Sequence, residues 1–201
     1  MLIFMNNNRK TTSMPDKYTQ VPMEPDKFFH IFNRGNNYEN VFYERKNYTF
    51  FLQRYKYYLA EHAQTFAYCL MPNHYHFLVK VISPQVSKRF ADFMQSYVKS
   101  FNNLYNRHGS LFLKNFKRVE VTTDDQLKRL VFYIHYNPEK HEIFDDFQSY
   151  HYSSYRSLIS EKSTRLYRED VLDWYGGKDE FIEFHRYLKN MKISEKLALE
   201  D

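Results

Sequence analysis

One cysteine, Cys69, is all the thiol chemistry this 201-residue chain holds. A single thiol forms no intrachain disulfide and cannot build a cysteine-rich zinc site; it suits a reducing compartment. Glycine is nearly as scarce, with Gly35, Gly109, Gly176 and Gly177 each near an expected element boundary. None belongs to a phosphate-cradling glycine motif, so no nucleotide cofactor is expected. No run of about 18 apolar residues occurs, which excludes a hydrophobic membrane span. The apolar start Met1-Leu2-Ile3-Phe4-Met5 turns polar at once, too short for a signal-peptide core. The expected compartment is the cytoplasm. Acidic side chains do not cluster as a two-metal site would require.

What the chain has in quantity is positive charge and aromatic rings. Its net charge is +5, and 19 Tyr and 19 Phe bring the aromatic share to 19%. The charge is concentrated. Lys80, Lys88, Arg89, Lys99, Arg107, Lys114, Lys117 and Arg118 face a single acid, Asp92, in the same stretch. Cations take phosphates and rings stack on bases, so a basic tract among aromatics suits single-stranded or distorted nucleic acid. A solvated lysine face over an aromatic core gives the same composition, so charge alone does not choose.

Hydrophobic periodicity orders the chain. Residues 1–25, polar and carrying Pro15, Pro22 and Pro25, are expected to be a flexible tail. A strand is expected over 28–33, ending at Arg34-Gly35-Asn36-Asn37. Tyr48, Phe51, Leu52, Tyr55, Tyr58 and Leu59 share one helical face. Strands follow at 65–70 and 74–82, bounded by Pro72 and Pro84. A long amphipathic helix runs from Val86 to Tyr105, and 111–121 reads as a further strand. Thr123 or Asp124 caps a helix with Leu127, Leu130, Val131 and Ile134 on one face, which Pro138 is expected to end. The order β-α-β-β-α-β plus a helix is the α+β, ferredoxin-like split βαβ arrangement around an antiparallel sheet. Residues 158–201 are expected to add a small helical extension, including a helix near 178–188.

Two residue pairs carry candidate chemistry. His74 and His76 are two apart on an expected strand, so both rings point to one face. Two adjacent imidazoles can hold one divalent metal, and two buried imidazoles without a partner are costly. Tyr75, between them, points to the other face with Phe77 and Val79. Tyr133 and Asn137 are i and i+4 on the expected helix and share a flank. With 19 tyrosines present, spacing alone does not separate a nucleophile from a core tyrosine. His135 reads as a surface or phosphate-contacting residue, and His30 as chiefly structural.

The stretch Met71-Pro-Asn-His74-Tyr-His76 with Phe77-Leu-Val79, then Tyr133-Ile-His-Tyr-Asn137-Pro138, resembles the single-tyrosine transposases of bacterial insertion sequences. It is most similar to the REP-associated tyrosine transposases. His30-Ile-Phe-Asn-Arg-Gly-Asn36, His108-Gly-Ser-Leu-Phe112 and Tyr152-Ser-Ser-Tyr-Arg156 agree, so the resemblance covers roughly residues 28 to 157. It implies a nuclease and transposase domain over 26–157. It implies that His74, His76 and Asn137 hold Mg²⁺ or Mn²⁺, and that Tyr133 is the nucleophile. The implied reaction nicks and rejoins single-stranded or hairpin DNA through a 5′-phosphotyrosine. Tyr75 is bulkier and more polar than the family's usual aliphatic residue, but it points away from the histidine face, so packing and not chemistry is expected to change. Arg34, Lys80, Lys88, Arg89, Lys99, Lys114, Lys117 and Arg118 are the expected DNA contacts. No membrane partner is expected, and both a homodimer and a monomer fit the resemblance. Competing readings are a domesticated hairpin binder that no longer cuts, an RNA-binding ferredoxin-like module, and a relaxase. Binding alone needs neither the histidines nor Tyr133, an RNA module would present aromatics on its central strands, and relaxases have longer chains.

Overall fold

The computed structural model describes residues 21–191. The tail expected over 1–25 lies mostly outside the described residues, as do residues 192–201. Of the tail, residues 21–25 are described, and within them Met23 is buried in the core.

The first six strands and α-helices are β1 (Phe28–Arg34), α1 (Arg45–Leu59), β2 (Ala63–Met71), β3 (His74–Val81), α2 (Val86–Leu104) and β4 (Lys117–Val121). The sheet order is β2-β3-β1-β4, and every neighbouring pair is antiparallel. This is the expected split βαβ arrangement. α3 (Asp124–Lys140) follows, then α4 (Tyr155–Ile159), α5 (Arg168–Tyr175) and α6 (Lys178–Asn190). Among the described residues no helix is long and apolar enough to cross a membrane.

Strand alternation divides the core in two. Phe29, Ile31, Tyr75, Phe77 and Val79 pack with Phe51, Tyr55, Phe90, Phe93 and Tyr97 of α1 and α2. On the opposite face Leu78 and Val121 join Phe66, Ala67, Cys69 and Met71 of β2 under Leu127, Leu130, Val131 and Ile134 of α3. Val171 of α5 and Phe181 of α6 complete that second core. Each sheet face is therefore covered by helices, and the histidines of β3 lie beneath α3.

Two boundaries differ from expectation. The last strand is short: only residues 117–121 pair with β1, against an expected 111–121. Leu111 and Phe112 are buried, and Gly35 bridges Phe112, but Leu113, Lys114 and Asn115 swing into solvent before the chain rejoins the sheet. An apolar pair tucked under β1 imitates a strand in the sequence. The second difference is Pro138, which lies inside the last turn of α3 and does not end it. Proline has no N–H to give the Ile134 carbonyl, so α3 loses one hydrogen bond there, and only two more residues follow before the helix stops. The Pro138 carbonyl still accepts from Ile143 N and Phe144 N, both within 3.1 Å. At the other end the expected cap holds: the Thr123 side chain accepts from Gln126 N.

Candidate active site

β1 and β3 build the floor of the site. On β3, His74 and His76 point to the α3 side, while Tyr75 points to the α1/α2 core and donates its hydroxyl to Met94 Sδ. On β1, His30 and Phe32 face the same way as the histidine pair. His30 pairs in register with Leu78, and Phe32 with His76. His30 thus meets His76 diagonally, a separation that aromatic rings span. His30 Nε2 and His76 Nδ1 are 3.0 Å apart, both fully buried. The rings stack at 5.2 Å, and Phe32 stacks on His30 at 4.6 Å.

His74 is fixed by its neighbour. Its Nδ1 lies 2.6 Å from Asn73 Oδ1. An amide oxygen only accepts, so Nδ1 carries the proton and Nε2 the lone pair. The His74 and His76 rings sit 5.1 Å apart and nearly perpendicular, at 88°.

α3 forms the roof. The Tyr133 ring, 3% exposed, stands edge-on over His76 at 5.7 Å and over His30 at 6.1 Å. One turn later Asn137 is fully buried. Its Nδ2 donates to the Tyr133 carbonyl at 2.7 Å, which fixes the amide's orientation. Its Oδ1 is buried and has no hydrogen-bond partner among the described residues. Two residues absent from the sequence reading complete the roof. Lys140 Nζ lies 5.1 Å from the Tyr133 ring centroid, and the His141 ring is 5.3 Å from that of His74. Tyr133, Asn137, Lys140 and His141 follow one another at helical spacing, and that stripe is the sequence signal for the last two.

The expected DNA contacts separate. Arg34 and Lys117 line a small pocket with Phe32, Asn33, Leu113 and His74. Lys114 is exposed in the loop before β4. Lys80 shares the histidine face but lies six residues along β3 from His74, about 20 Å away at strand spacing, and pairs with Asp26. Lys88 and Arg89, on the first turn of α2, both pair with Asp92. Arg118 pairs in register with Ile31, whose side chain packs in the α1/α2 core, and its Nε donates to the Val21 carbonyl. Lys99 is exposed on α2 and lines a groove with Lys114 and Arg118. The basic tract is therefore not one surface.

His135 is a correction. It is fully buried and is neither on the surface nor able to reach a phosphate. His185 Nδ1 donates to the Phe181 carbonyl at 2.8 Å, which leaves His185 Nε2 to accept from His135 Nδ1 at 3.1 Å. Ser154 Oγ lies 2.7 Å from the other nitrogen of His135. Burial holds both imidazoles neutral: it pushes His185 down to about 3, and burial with the neighbouring His185 pushes His135 well below the usual histidine range.

The same arrangement of strands and helices occurs in a solved structure. A REP-associated tyrosine transposase, solved bound to a REP hairpin, superposes with a TM-score of 0.59 over 81% of this chain and 97% of that one. The two folds are the same. The sequences are 15% identical, so the likeness is one of fold. No family model matches the chain, and no curated protein matches its sequence.

Proposed function

We propose that this protein nicks and rejoins single-stranded DNA by attack of Tyr133 on a phosphodiester, with a divalent metal, Mg²⁺ or Mn²⁺, at His74, His76 and Asn137. The observation that carries this reading is the Tyr133 ring standing over His76 within one chain. The shared fold supports hairpin DNA as the substrate, since the REP-associated transposase was solved on a hairpin.

The donor chemistry fits a metal of modest affinity. Asn137 Oδ1 is a buried oxygen that lacks a partner among the described residues. His74 Nε2 carries the lone pair once Nδ1 bonds Asn73. His76 offers Nε2 when its Nδ1 donates to His30, a hydrogen bond that fixes a ligating tautomer. Among the described residues, no three His, Cys, Asp or Glu side chains converge as a metal-holding group. Two imidazoles and an amide would bring no negative charge to the ion, so a DNA phosphate would have to supply it. A bound metal supplies Lewis-acid polarisation of the scissile phosphate.

The protein's own groups do the rest. The sheet fixes the imidazoles, and the Asn137 amide pins the backbone of the helix turn that carries Tyr133. The tyrosine oxygen attacks phosphorus, the P–O3′ bond breaks, and a 5′-phosphotyrosine and a 3′-hydroxyl remain. The bond energy stays in the covalent link, so rejoining needs no nucleotide. The test is to incubate the protein and Tyr133→Phe with a hairpin-bearing single strand and Mn²⁺, then separate covalent adducts on a denaturing gel. Loss of the adduct with DNA binding intact is the expected result. An adduct in Tyr133→Phe would refute the assignment and direct attention to Tyr136.

A further inference from the structure

Lys140 is the one cation over Tyr133 among the described residues, and its own surroundings leave it without an anion. Its ε-ammonium makes no ion pair and no hydrogen bond among the described residues, although Lys140 is only half-exposed. The nearest acid in sequence, Glu139, is engaged elsewhere: its carboxylate pairs with Lys189 at 2.9 Å and accepts from Phe147 N at 3.3 Å. The C-terminal end of α3, where Lys140 sits in the last turn, favours a positive charge through the helix dipole. The fold thus holds a cation 5.1 Å from the Tyr133 ring with no anion paired to it among the described residues. An anion brought to the tyrosine hydroxyl is the missing counterpart.

We propose that Lys140 is a catalytic residue whose ammonium binds a non-bridging oxygen of the phosphodiester that Tyr133 attacks. The inference rests on the reading of Tyr133 as nucleophile. In the step, the bond from the tyrosine oxygen to phosphorus forms and the P–O3′ bond breaks. The phenol proton is lost to solvent and the departing 3′-oxygen gains one from it, so charge and atoms balance. The phosphorane-like transition state gathers negative charge on its non-bridging oxygens. A preorganised cation there is worth more in the transition state than in the ground state.

The experiment compares wild type, Lys140→Gln and Lys140→Arg on a hairpin-bearing single strand copied from a palindrome beside the coding sequence. Each is run with a normal scissile phosphate and with a methylphosphonate, which lacks one anionic oxygen, at that position. Lys140→Gln should slow adduct formation on the order of a hundredfold with DNA binding nearly unchanged. Lys140→Arg should recover most of the rate. On the methylphosphonate the difference between wild type and Lys140→Gln should collapse. A wild-type adduct at Tyr133 with Lys140→Gln equally fast overturns the Lys140 assignment alone. An equal loss on both substrates also overturns it, because it marks a structural role. Absence of any Tyr133 adduct in the wild type overturns both this and the nucleophile reading.

Discussion

Replacing His30 by Phe tests the floor of the site directly. Phenylalanine keeps a flat ring in the stack between Phe32 and His76, at 4.6 and 5.2 Å, and removes only the nitrogens. His76 Nδ1 then loses its 3.0 Å partner in a fully buried position. Two effects should follow. A buried polar group left without its hydrogen bond costs about 1–3 kcal/mol of stability. The tautomer of His76 that would offer Nε2 to the proposed metal also loses its acceptor. Removing such an outer partner lowers metal affinity 10–100-fold in general, about 1.4–2.7 kcal/mol. The assay is Mn²⁺ titration of the DNA-bound protein by electron paramagnetic resonance, with urea unfolding alongside. A weaker Mn²⁺ constant is expected together with a modest fall in stability. A His30→Phe protein that unfolds earlier yet binds Mn²⁺ within threefold of wild type would refute a role for His30 in orienting His76. His30 would then be a packing residue only.

Charge reversal at Lys117, beside His74 in the pocket that Arg34 also lines, should weaken DNA binding and reduce the salt slope by about one unit. Reversal at Lys88, already paired with Asp92 on α2, should change both far less; equal effects in a filter-binding salt series would place the DNA elsewhere. Stability should fall with acid through His185. Its folded pKa, about 3, lies below the ordinary 6.5, so the unfolded chain binds the extra proton between those values, and stability present above pH 6.5 is lost as pH falls toward 3. Urea midpoints measured from pH 7 to pH 4 should drop with a slope of up to about 1.4 kcal/mol per pH unit for that group, and a flat profile would contradict a buried neutral His185. Mixing Tyr133→Phe with His76→Ala protein should restore no cleavage, because the fold sets Tyr133 over His76 of its own chain; recovered activity would show sharing between chains.

The fold was legible because each sheet face has its own pattern. Alternation in 74–82 aims Tyr75, Phe77 and Val79 one way and the histidines the other, and both cores follow that division. Local signals also held at Thr123, whose side chain caps α3, and at 178–188, which lies within α6. What stayed hidden is what depends on register between distant strands. Nothing in the sequence near His30 announces that β1 pairs with β3 so that His30 reaches His76 diagonally. His135 departs from its expected place for a related reason. One position on a helix face cannot reveal that α6, fifty residues later, brings His185 to 3.1 Å. The basic tract shows the converse error. Eight cations close in sequence scatter over two sheet faces, because a strand sends neighbours to opposite sides and a helix turns them away.

The position of α3 over its own sheet has a simple physical basis. Only Thr122 and Thr123 separate the end of β4 from the first turn of α3. Two residues span at most about 7 Å, so α3 must lie on the sheet it leaves or on one docked against β4. Its own sheet offers the apolar surface. Leu127, Leu130, Val131 and Ile134 bury against Phe66, Ala67, Cys69 and Met71 of β2, which lies at the far edge of the sheet. The helix therefore crosses β1 and β3 on its way to β2, and this crossing carries Tyr133 over His30 and His76. The later helices fasten it there. Tyr175 donates to the Lys128 carbonyl at 2.7 Å, Lys189 pairs with Glu139, and His185 meets His135. The segment between α3 and α4 is tied to the same edge, since Leu70 N donates to the Tyr152 carbonyl and Ser154 N to that of Tyr68. Moving Tyr133 to another chain's histidines would mean detaching α3 from β2 together with everything packed on it. The helices after α3 thus act on the site at a distance: they hold the helix of Tyr133 over the histidines of its own chain.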